Sequence, residues 1–192
     1  MELDSDFKIL NNAINSFLRD ESIKNKLSHI IKRPNKDWEK WLQIELEYHL
    51  EKRCNCTTKR EVSAKPDHRY RSGKLGMYID LLIRKRLFEE DHYIYVELKC
   101  DVNAGVLFDK MLVDQKKLES IKQSFLDKSN TKMRSYWCIG FFQTTEHGST
   151  EAIKRFLKEY YAHYKNKCAI KSLRTCYSEK KCKCGSIGYI IF

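Results

Sequence analysis

Proline and glycine are scarce in this sequence of 192 residues, which contains two prolines and seven glycines. The sequence also lacks repeats and low-complexity tracts, so no stretch has the composition of a flexible linker. A chain of this length can bury a substantial core as one unit. We therefore predict a single domain over residues 1–192. It divides into a helical extension at 1–34, a core at 37–142, and a C-terminal helix with short strands at 143–192.

Long apolar runs are missing as well. No apolar stretch reaches the length of about 18 residues that a membrane-spanning helix needs. The first six residues are acidic, whereas a secretory signal begins with a basic segment followed by an apolar one. The sequence therefore predicts no membrane span and no signal peptide, and we expect a cytoplasmic protein with no membrane partner.

Cysteine is more abundant, with eight residues. Cys54 and Cys56 form one Cys-x-Cys pair, and Cys182 and Cys184 form another. Two such pairs can supply four thiolates to zinc, although paired zinc ligands usually have at least two residues between them. A zinc-containing nucleic-acid adaptor is thus one interpretation. Reduced cysteines of a cytosolic protein are the favoured one, so zinc is not expected at these pairs.

Positive charge is in strong excess. The chain has 37 lysines and arginines against 26 acidic residues, a formal net charge of +11. Such an excess favours a polyanionic partner, nucleic acid before an acidic membrane, although a merely solubilising surface is the alternative. The basic stretch "HRYRSGK" brings Arg69, Arg71 and Lys74 close to a predicted strand, where they are candidates for phosphate contacts.

Hydrophobic periodicity predicts helices alternating with strands. Two amphipathic stripes within residues 7–31 predict N-terminal helices. The segment "WEKWLQIELEYHL" (38–50) predicts a helix whose inward arc has Glu45 near its centre and Glu39 at its edge. The segments after it are predicted as strands at 57–64, 77–85 and 92–100, a helix at about 109–127, and a buried strand at 135–142. A capped helix beginning near Ser149 or Thr150 and weaker strands near 168–173 and 187–192 complete an α/β pattern.

The second and third strands form a hairpin whose register can be predicted. The turn "FEED" centres between Phe88 and Glu89, so a symmetric register places Asp80 opposite Glu97. Side chains alternate along a strand, so Glu97 and Lys99 share a face. Opposed carboxylates in an apolar sheet repel each other unless a positive charge lies between them. This arrangement predicts a site for chemistry rather than a structural role.

These residues carry a family resemblance. Asp80, then sixteen intervening residues, then Glu97-Leu98-Lys99 resembles the motif of the PD-(D/E)xK nuclease superfamily. The α-β-β-β-α-β order from residue 37 resembles its restriction-endonuclease-like core, a mixed sheet flanked by helices. Glu45 matches the acidic residue that the first core helix of the family often contributes. The resemblance covers residues 37–142, and one departure is Ile79, where the family motif has proline.

The resemblance implies a catalytic site and a cofactor. Asp80, Glu97 and the carbonyl group of Leu98 would bind Mg²⁺, with Mn²⁺ able to substitute, because hard cations prefer oxygen ligands. Lys99 would orient or help to deprotonate the attacking water. Glu45 would complete the outer shell or help to hold a second metal, and Gln115 matches a glutamine that some branches place beside the lysine.

We therefore expect a metal-dependent endonuclease that acts on DNA, most simply double-stranded DNA, as a small type II restriction-type enzyme. The chain is short for a separate recognition domain, so we expect either a homodimer or recognition of the DNA through loops and the N-terminal helices. The alternative from another class is a non-catalytic DNA-binding or partner-binding subunit of a defence or repair complex on the same fold.

Overall fold

The computed structural model describes residues 2–31, 38–64, 77–121, 132–144, 147–162, 168–173 and 186–192. Within these residues the protein is an α/β structure with five helices and a mixed six-stranded sheet. The helices are α1 (Glu2–Arg19), α2 (Glu21–Ile31), α3 (Trp38–Arg53), α4 (Ala104–Glu119) and α5 (His147–Ala162). The strands are β1 (Cys56–Ala64), β2 (Met77–Lys85), β3 (His92–Asp101), β4 (Lys132–Thr144), β5 (Ala169–Leu173) and β6 (Ser186–Ile191). None of the described helices is both long and apolar enough to cross a membrane.

The strands lie in the order β1-β2-β3-β4-β6-β5. Strands β1, β2 and β3 form an antiparallel meander, whereas β4 runs parallel to β3. A parallel neighbour needs a crossover connection, and α4 supplies it. Strand β6 lies between β4 and β5 and is antiparallel to both.

Two apolar cores cover the two faces of the sheet. On one face, α1, α2 and α3 pack against side chains such as Val96 and Leu98. On the other face, α4 and α5 pack against side chains that include Tyr93 and Tyr95. The alternation of β3 therefore directs Glu97 and Lys99 toward the α4 face.

Helix α4 begins five residues before its predicted start. The side chain of Asn103 caps it by accepting hydrogen bonds from the amides of Gly105 at 2.8 Å and Val106 at 3.1 Å. The helix ends at Glu119, and residues 122–131, which the prediction included in part, lie outside the described residues. Helix α5 begins at His147, so the predicted caps Ser149 and Thr150 lie inside its first turn.

The alternation of side chains between the two faces of the sheet is interrupted partway along β1 and β2. Ile79 belongs to the core of the α4 face, whereas Leu81 belongs to the opposite core, although strict alternation would place both on one face. Strand β1 shows the same change between Cys56 and Val62, and Glu61 there has a positive φ of 51°. This conformation is strained for a residue with a side chain. The distortion leaves Asp80 at the point where β2 changes faces.

Candidate active site

The predicted register of the β2–β3 hairpin is confirmed. Leu81 pairs with Val96, and the two pairs that follow, Leu82 with Tyr95 and Ile83 with Ile94, continue the same register. Asp80 therefore comes next to Glu97, just beyond the last pair of this ladder. At this position a side-chain hydrogen bond joins the two strands in place of a backbone one. Oδ2 of Asp80 accepts it from the Leu98 amide at 2.8 Å.

Asp80 is held from two sides. Its backbone carbonyl accepts a hydrogen bond from Nε2 of Gln43 at 2.8 Å, and Gln43 is itself buried on α3. Burial raises the pKa of the Asp80 carboxyl group, while the Leu98 amide and the charge of Lys99 act in the opposite direction. The Asp80 carboxylate is thus fixed in position, but its contacts do not fully offset the cost of burying its charge.

Glu97 is the most buried acid of the site. Its side chain is 2% exposed, and Oε1 lies 2.7 Å from Nζ of Lys117 on α4. Burial raises the pKa of Glu97 to about 8, and the charge of Asp80 is the second cause. Lys117 opposes this rise only in part. Asp80 and Glu97 are therefore close enough for each charge to disfavour the other.

Lys99 lies between two further carboxylates. Its Nζ is 3.3 Å from Oδ2 of Asp114 on α4 and 3.5 Å from Oε1 of Glu39 on α3. Burial disfavours the ammonium form, but the charges of Asp114, Glu39 and then Asp80 outweigh it and raise the pKa of Lys99. Lys99 is consequently a permanent cation at neutral pH.

The expected orientation of Glu45 is wrong, and Glu39 contacts the cluster of Asp80, Glu97 and Lys99 instead. Glu45 points away from the cluster and forms an ion pair with Lys26 of α2 at 2.5 Å. Glu39 instead contacts Lys99, and its Oε2 accepts a hydrogen bond from the amide of Cys100 at 3.3 Å.

Glu45 was expected at the site because the predicted buried face of α3 was rotated relative to the observed one. The residues of this helix that are buried are Trp38, Leu42, Gln43, Leu46, His49 and Leu50. At about 100° per residue, Glu39 lies roughly 30° from the centre of this arc and Glu45 roughly 90° away. The predicted arc included Trp41, but Trp41 is only half-buried, and its inclusion shifted the expected centre toward Glu45.

Helix α4 reaches the cluster through Asp114 and Lys117, neither of which is among the residues predicted for the site. Both lie on one flank of the helix, about 60° apart. Gln115 is half-buried and lies about 100° from Asp114, on the flank that carries Phe108. Phe108 packs against Phe156 of α5 and Phe192. The sequence signal that could have identified Asp114 and Lys117 is an acid and a lysine spaced i, i+3 at the edge of the apolar face of α4.

A second group of possible metal ligands lies in the β2–β3 turn. Glu89, Asp91 and His92 bring their ligand atoms within 4.8 Å of one another, and within the described ranges this is the one group of three or more acidic, histidine or cysteine side chains that does so. The group could hold a metal ion, but Glu89 is largely exposed and Asp91 forms an ion pair with Lys132 at 2.8 Å. From the sequence, this segment is predicted only as a turn.

Several residues of the predicted sites lie outside the described part of the chain. These are Arg69, Arg71 and Lys74, together with Cys182 and Cys184. Of the other cysteine pair, Cys54 is half-buried and Cys56 is buried. Burial raises the pKa of the Cys56 thiol to about 11, which disfavours the thiolate that zinc would require.

Comparison with protein-family models, with curated protein sequences and with solved structures finds no match to this chain.

Proposed function

We propose that this protein is a metal-dependent endodeoxyribonuclease of the PD-(D/E)xK type. The observation that carries the proposal is the meeting of Asp80, Glu97 and Lys99 where the β2–β3 ladder ends. Two acids that disfavour each other's charge and a charged lysine are costly to bury, and they suit the hydrolysis of a phosphodiester bond. The proposal therefore rests on this cluster and on the basic excess of the chain.

The topology supports the same proposal. The order α3-β1-β2-β3-α4-β4, with an antiparallel meander followed by a parallel fourth strand, agrees with the restriction-endonuclease-like core that the motif implies. In that core Glu39, rather than Glu45, is the acid supplied by the first helix.

The charges of the cluster suit a divalent cation. The carboxylates of Asp80, Glu97, Asp114 and Glu39 face the two ammonium groups of Lys99 and Lys117. Two negative charges therefore remain when every acid is ionised. Burial and the charge of Asp80 together raise the pKa of Glu97 to about 8. Mg²⁺, or Mn²⁺ in its place, would be held by the carboxylates of Asp80 and Glu97 and the carbonyl oxygen of Leu98. When bound, the metal would acidify a water molecule and stabilise charge on the scissile phosphate.

Residues of the chain around the metal site would have separate roles in the reaction. Lys99 keeps its proton because its pKa is raised, so it would donate hydrogen bonds to the attacking water and the phosphate rather than act as a general base. Glu39 and Asp114 would hold the ammonium group of Lys99 in place. The amide of Leu98 would fix the direction of the Asp80 carboxylate.

The net positive charge of the chain supports DNA as the proposed substrate. With a net charge of +11, the chain would bind DNA, and a duplex is the simplest substrate for a small type II restriction-type enzyme. A homodimer would allow both strands of the duplex to be cut.

One observation favours the alternative of a non-catalytic DNA-binding or partner-binding subunit. Glu97 already has an ammonium partner in Lys117, and Lys99 already has carboxylate partners in Asp114 and Glu39. These ion pairs give the motif residues a structural role that needs neither metal nor substrate.

A cleavage assay separates the two functions. Plasmid DNA is incubated with the protein and Mg²⁺ or Mn²⁺, with and without a chelator, and DNA binding is measured in parallel. Lys99→Ala should lower the cleavage rate by about a hundredfold or more, as for a lost preorganised charge, with DNA binding largely kept. The matched control is Lys110→Ala, because Lys110 is an exposed lysine of α4 that pairs with Asp101. If the wild type binds DNA and cuts none with either metal, the non-catalytic subunit is the better description.

A further inference from the structure

A polar cleft lies on the face of the sheet opposite α4. It has a volume of about 780 Å³ and is bounded by α1, the C-terminal half of α3 and strand β5. Its cations are Arg19, Arg53 and Lys171, and its single acid is Asp20. Most ligand pockets of this size are lined chiefly by apolar side chains. A cleft lined instead by cations and amides suits a charged, hydrated ligand.

Asn11, Asn15 and Ser16, three of the neutral side chains of the cleft, have acceptor atoms that are already engaged. Oδ1 of Asn11 accepts hydrogen bonds from Tyr189 at 2.9 Å and from Asn15 at 3.2 Å. Oδ1 of Asn15 lies 3.4 Å from Nζ of Lys171. Burial lowers the pKa of His49, so this side chain is neutral at physiological pH. Its Nε2 lies 2.7 Å from the hydroxyl group of Ser16. These acceptor atoms therefore already have donors within the protein.

The acid of the cleft is also engaged. Oδ1 of Asp20 caps α2 by accepting from the amides of Ser22 at 2.9 Å and Ile23 at 3.4 Å. Its other oxygen is 3.6 Å from the Arg53 guanidinium, which remains 66% exposed. Arg19 and Lys171 are exposed and make no ion pair with any residue in the described ranges. Positive charge therefore dominates the cleft.

Arg53 extends this surface into a neighbouring cleft of about 480 Å³ at the α3–β1 connection. That cleft adds Lys52 and Arg86. Its acid, Glu51, is engaged by the Thr58 hydroxyl at 2.7 Å. The two clefts together, which we call the basic groove, present five cations along one continuous surface.

The basic groove is separate from the cluster of Asp80, Glu97 and Lys99. Arg53 follows Glu39 by fourteen residues on α3, which corresponds to about 21 Å along the helix axis. None of the cations of the groove takes part in the contacts of Asp80, Glu97 or Lys99 described above. Changes in the groove can thus be made without altering the cluster.

From these features we infer that the basic groove is a second phosphate-binding site, which holds the phosphodiester backbone of a nucleic-acid strand away from the cluster. Phosphate oxygens accept hydrogen bonds and donate none, which matches a surface of guanidinium, ammonium and amide donors. A chain of linked phosphates, rather than one phosphate, matches five cations spread over two joined clefts. The inference rests on the proposed function only in taking a nucleic acid as the ligand.

The test compares two double variants with the same change in net charge. Arg19→Ala with Lys171→Ala removes two cations of the groove. Arg155→Ala with Lys158→Ala removes two exposed cations of α5, on the other face of the sheet. Binding of a fluorescently labelled duplex is measured by anisotropy over a range of salt concentrations, in chelator so that no cleavage occurs. Binding of inorganic phosphate and of a mononucleotide is measured by calorimetry.

We expect the groove variant to weaken duplex binding several-fold relative to the α5 variant. The slope of the logarithm of affinity against the logarithm of salt concentration should fall by about 0.9 for each phosphate that the variant no longer neutralises. Equal affinities and slopes for the two variants would overturn the groove site and leave the proposed nuclease standing. Weakened binding by the groove variant, together with no cleavage by the wild type in Mg²⁺ or Mn²⁺, would support the groove and overturn the nuclease. If the mononucleotide binds as tightly as the duplex, the groove is a small-molecule site and the strand assignment is wrong.

Discussion

The ammonium group of Lys117 bridges the carboxylate of Glu97, at 2.7 Å, and the backbone carbonyl of Tyr78, at 2.6 Å. One side chain of α4 thereby joins β2 and β3 beyond the end of their ladder. It also supplies the positive charge nearest to the most buried acid of the cluster. The protonation of Glu97 should for this reason be visible in the stability of the whole protein.

The first prediction concerns stability and pH in the absence of metal. The pKa of Glu97 is raised from 4.5 to about 8, so the native state binds more protons than the unfolded state between these values. The free energy of unfolding should therefore fall as pH rises through this window, by on the order of a few kcal/mol. Glu97→Gln should remove most of the fall, and Lys117→Met should extend the fall to higher pH, because Lys117 holds the pKa of Glu97 down. Urea denaturation at several pH values in chelator measures both, and an identical pH dependence for all three proteins would contradict the assignment.

A second prediction tests the correction on α3. For the proposed nuclease, Glu39→Gln should lower the cleavage rate by roughly tenfold to a hundredfold, as expected when a residue that orients the proposed catalytic lysine is lost. Glu45→Gln is the matched control, because its only described partner is Lys26 and the change should leave cleavage unaltered. Steady-state rates on plasmid DNA decide the matter, and the reverse order of effects would restore Glu45 to the site.

The third prediction distinguishes the two groups of possible metal ligands. Asp80→Asn should abolish Mn²⁺ binding at the cluster, whereas Asp91→Asn changes the same residue type in the turn group and should have little effect there. Calorimetric titration with Mn²⁺ reads binding directly and does not depend on catalysis. Loss of binding in Asp91→Asn alone would move the metal to Glu89, Asp91 and His92.

The fourth prediction concerns the attachment of α1. Asp6 is fully buried and accepts hydrogen bonds from Nε of Arg134 at 2.8 Å and from the hydroxyl group of Ser135 at 2.7 Å. Asp6→Ala should lower the free energy of unfolding by about 3–5 kcal/mol, because it strips the acid partner from a largely buried arginine. Lys8→Ala, an exposed change on the same helix, should stay within about 0.5 kcal/mol. Chemical denaturation of both variants checks the difference, and equal values would mean that the Asp6 contacts are not stabilising.

The strands and the hairpin register could be predicted because their signals are local. The turn after β2 fixes which residues of β3 face those of β2, so Asp80 and Glu97 are brought together by counting from the turn. The alternation of side chains along β3 likewise placed Lys99 on the same face as Glu97. No information from distant parts of the chain was needed.

The partners of these residues could not be predicted so well, because they depend on how helices are rotated against the sheet. Trp41 is apolar yet only half-buried, whereas Gln43 is polar yet 2% exposed, since it donates to the carbonyl of Asp80. Polarity alone therefore gave the wrong phase for α3. Asp114 and Lys117 meet the motif only after α4 has crossed back over the sheet, and their charges alone are typical of a solvated helix flank.

Strand β6 has a consequence for how the protein folds. It lies between β4 and β5 but follows β4 in the chain by about forty residues. Until residues 186–191 are in place, the long strand β4 has an open edge that can pair with other chains. The sheet is thus completed by a contact of large sequence separation, whose loop-closure entropy slows folding. We expect refolding to be slow and sensitive to protein concentration, with aggregation competing until this strand has been inserted.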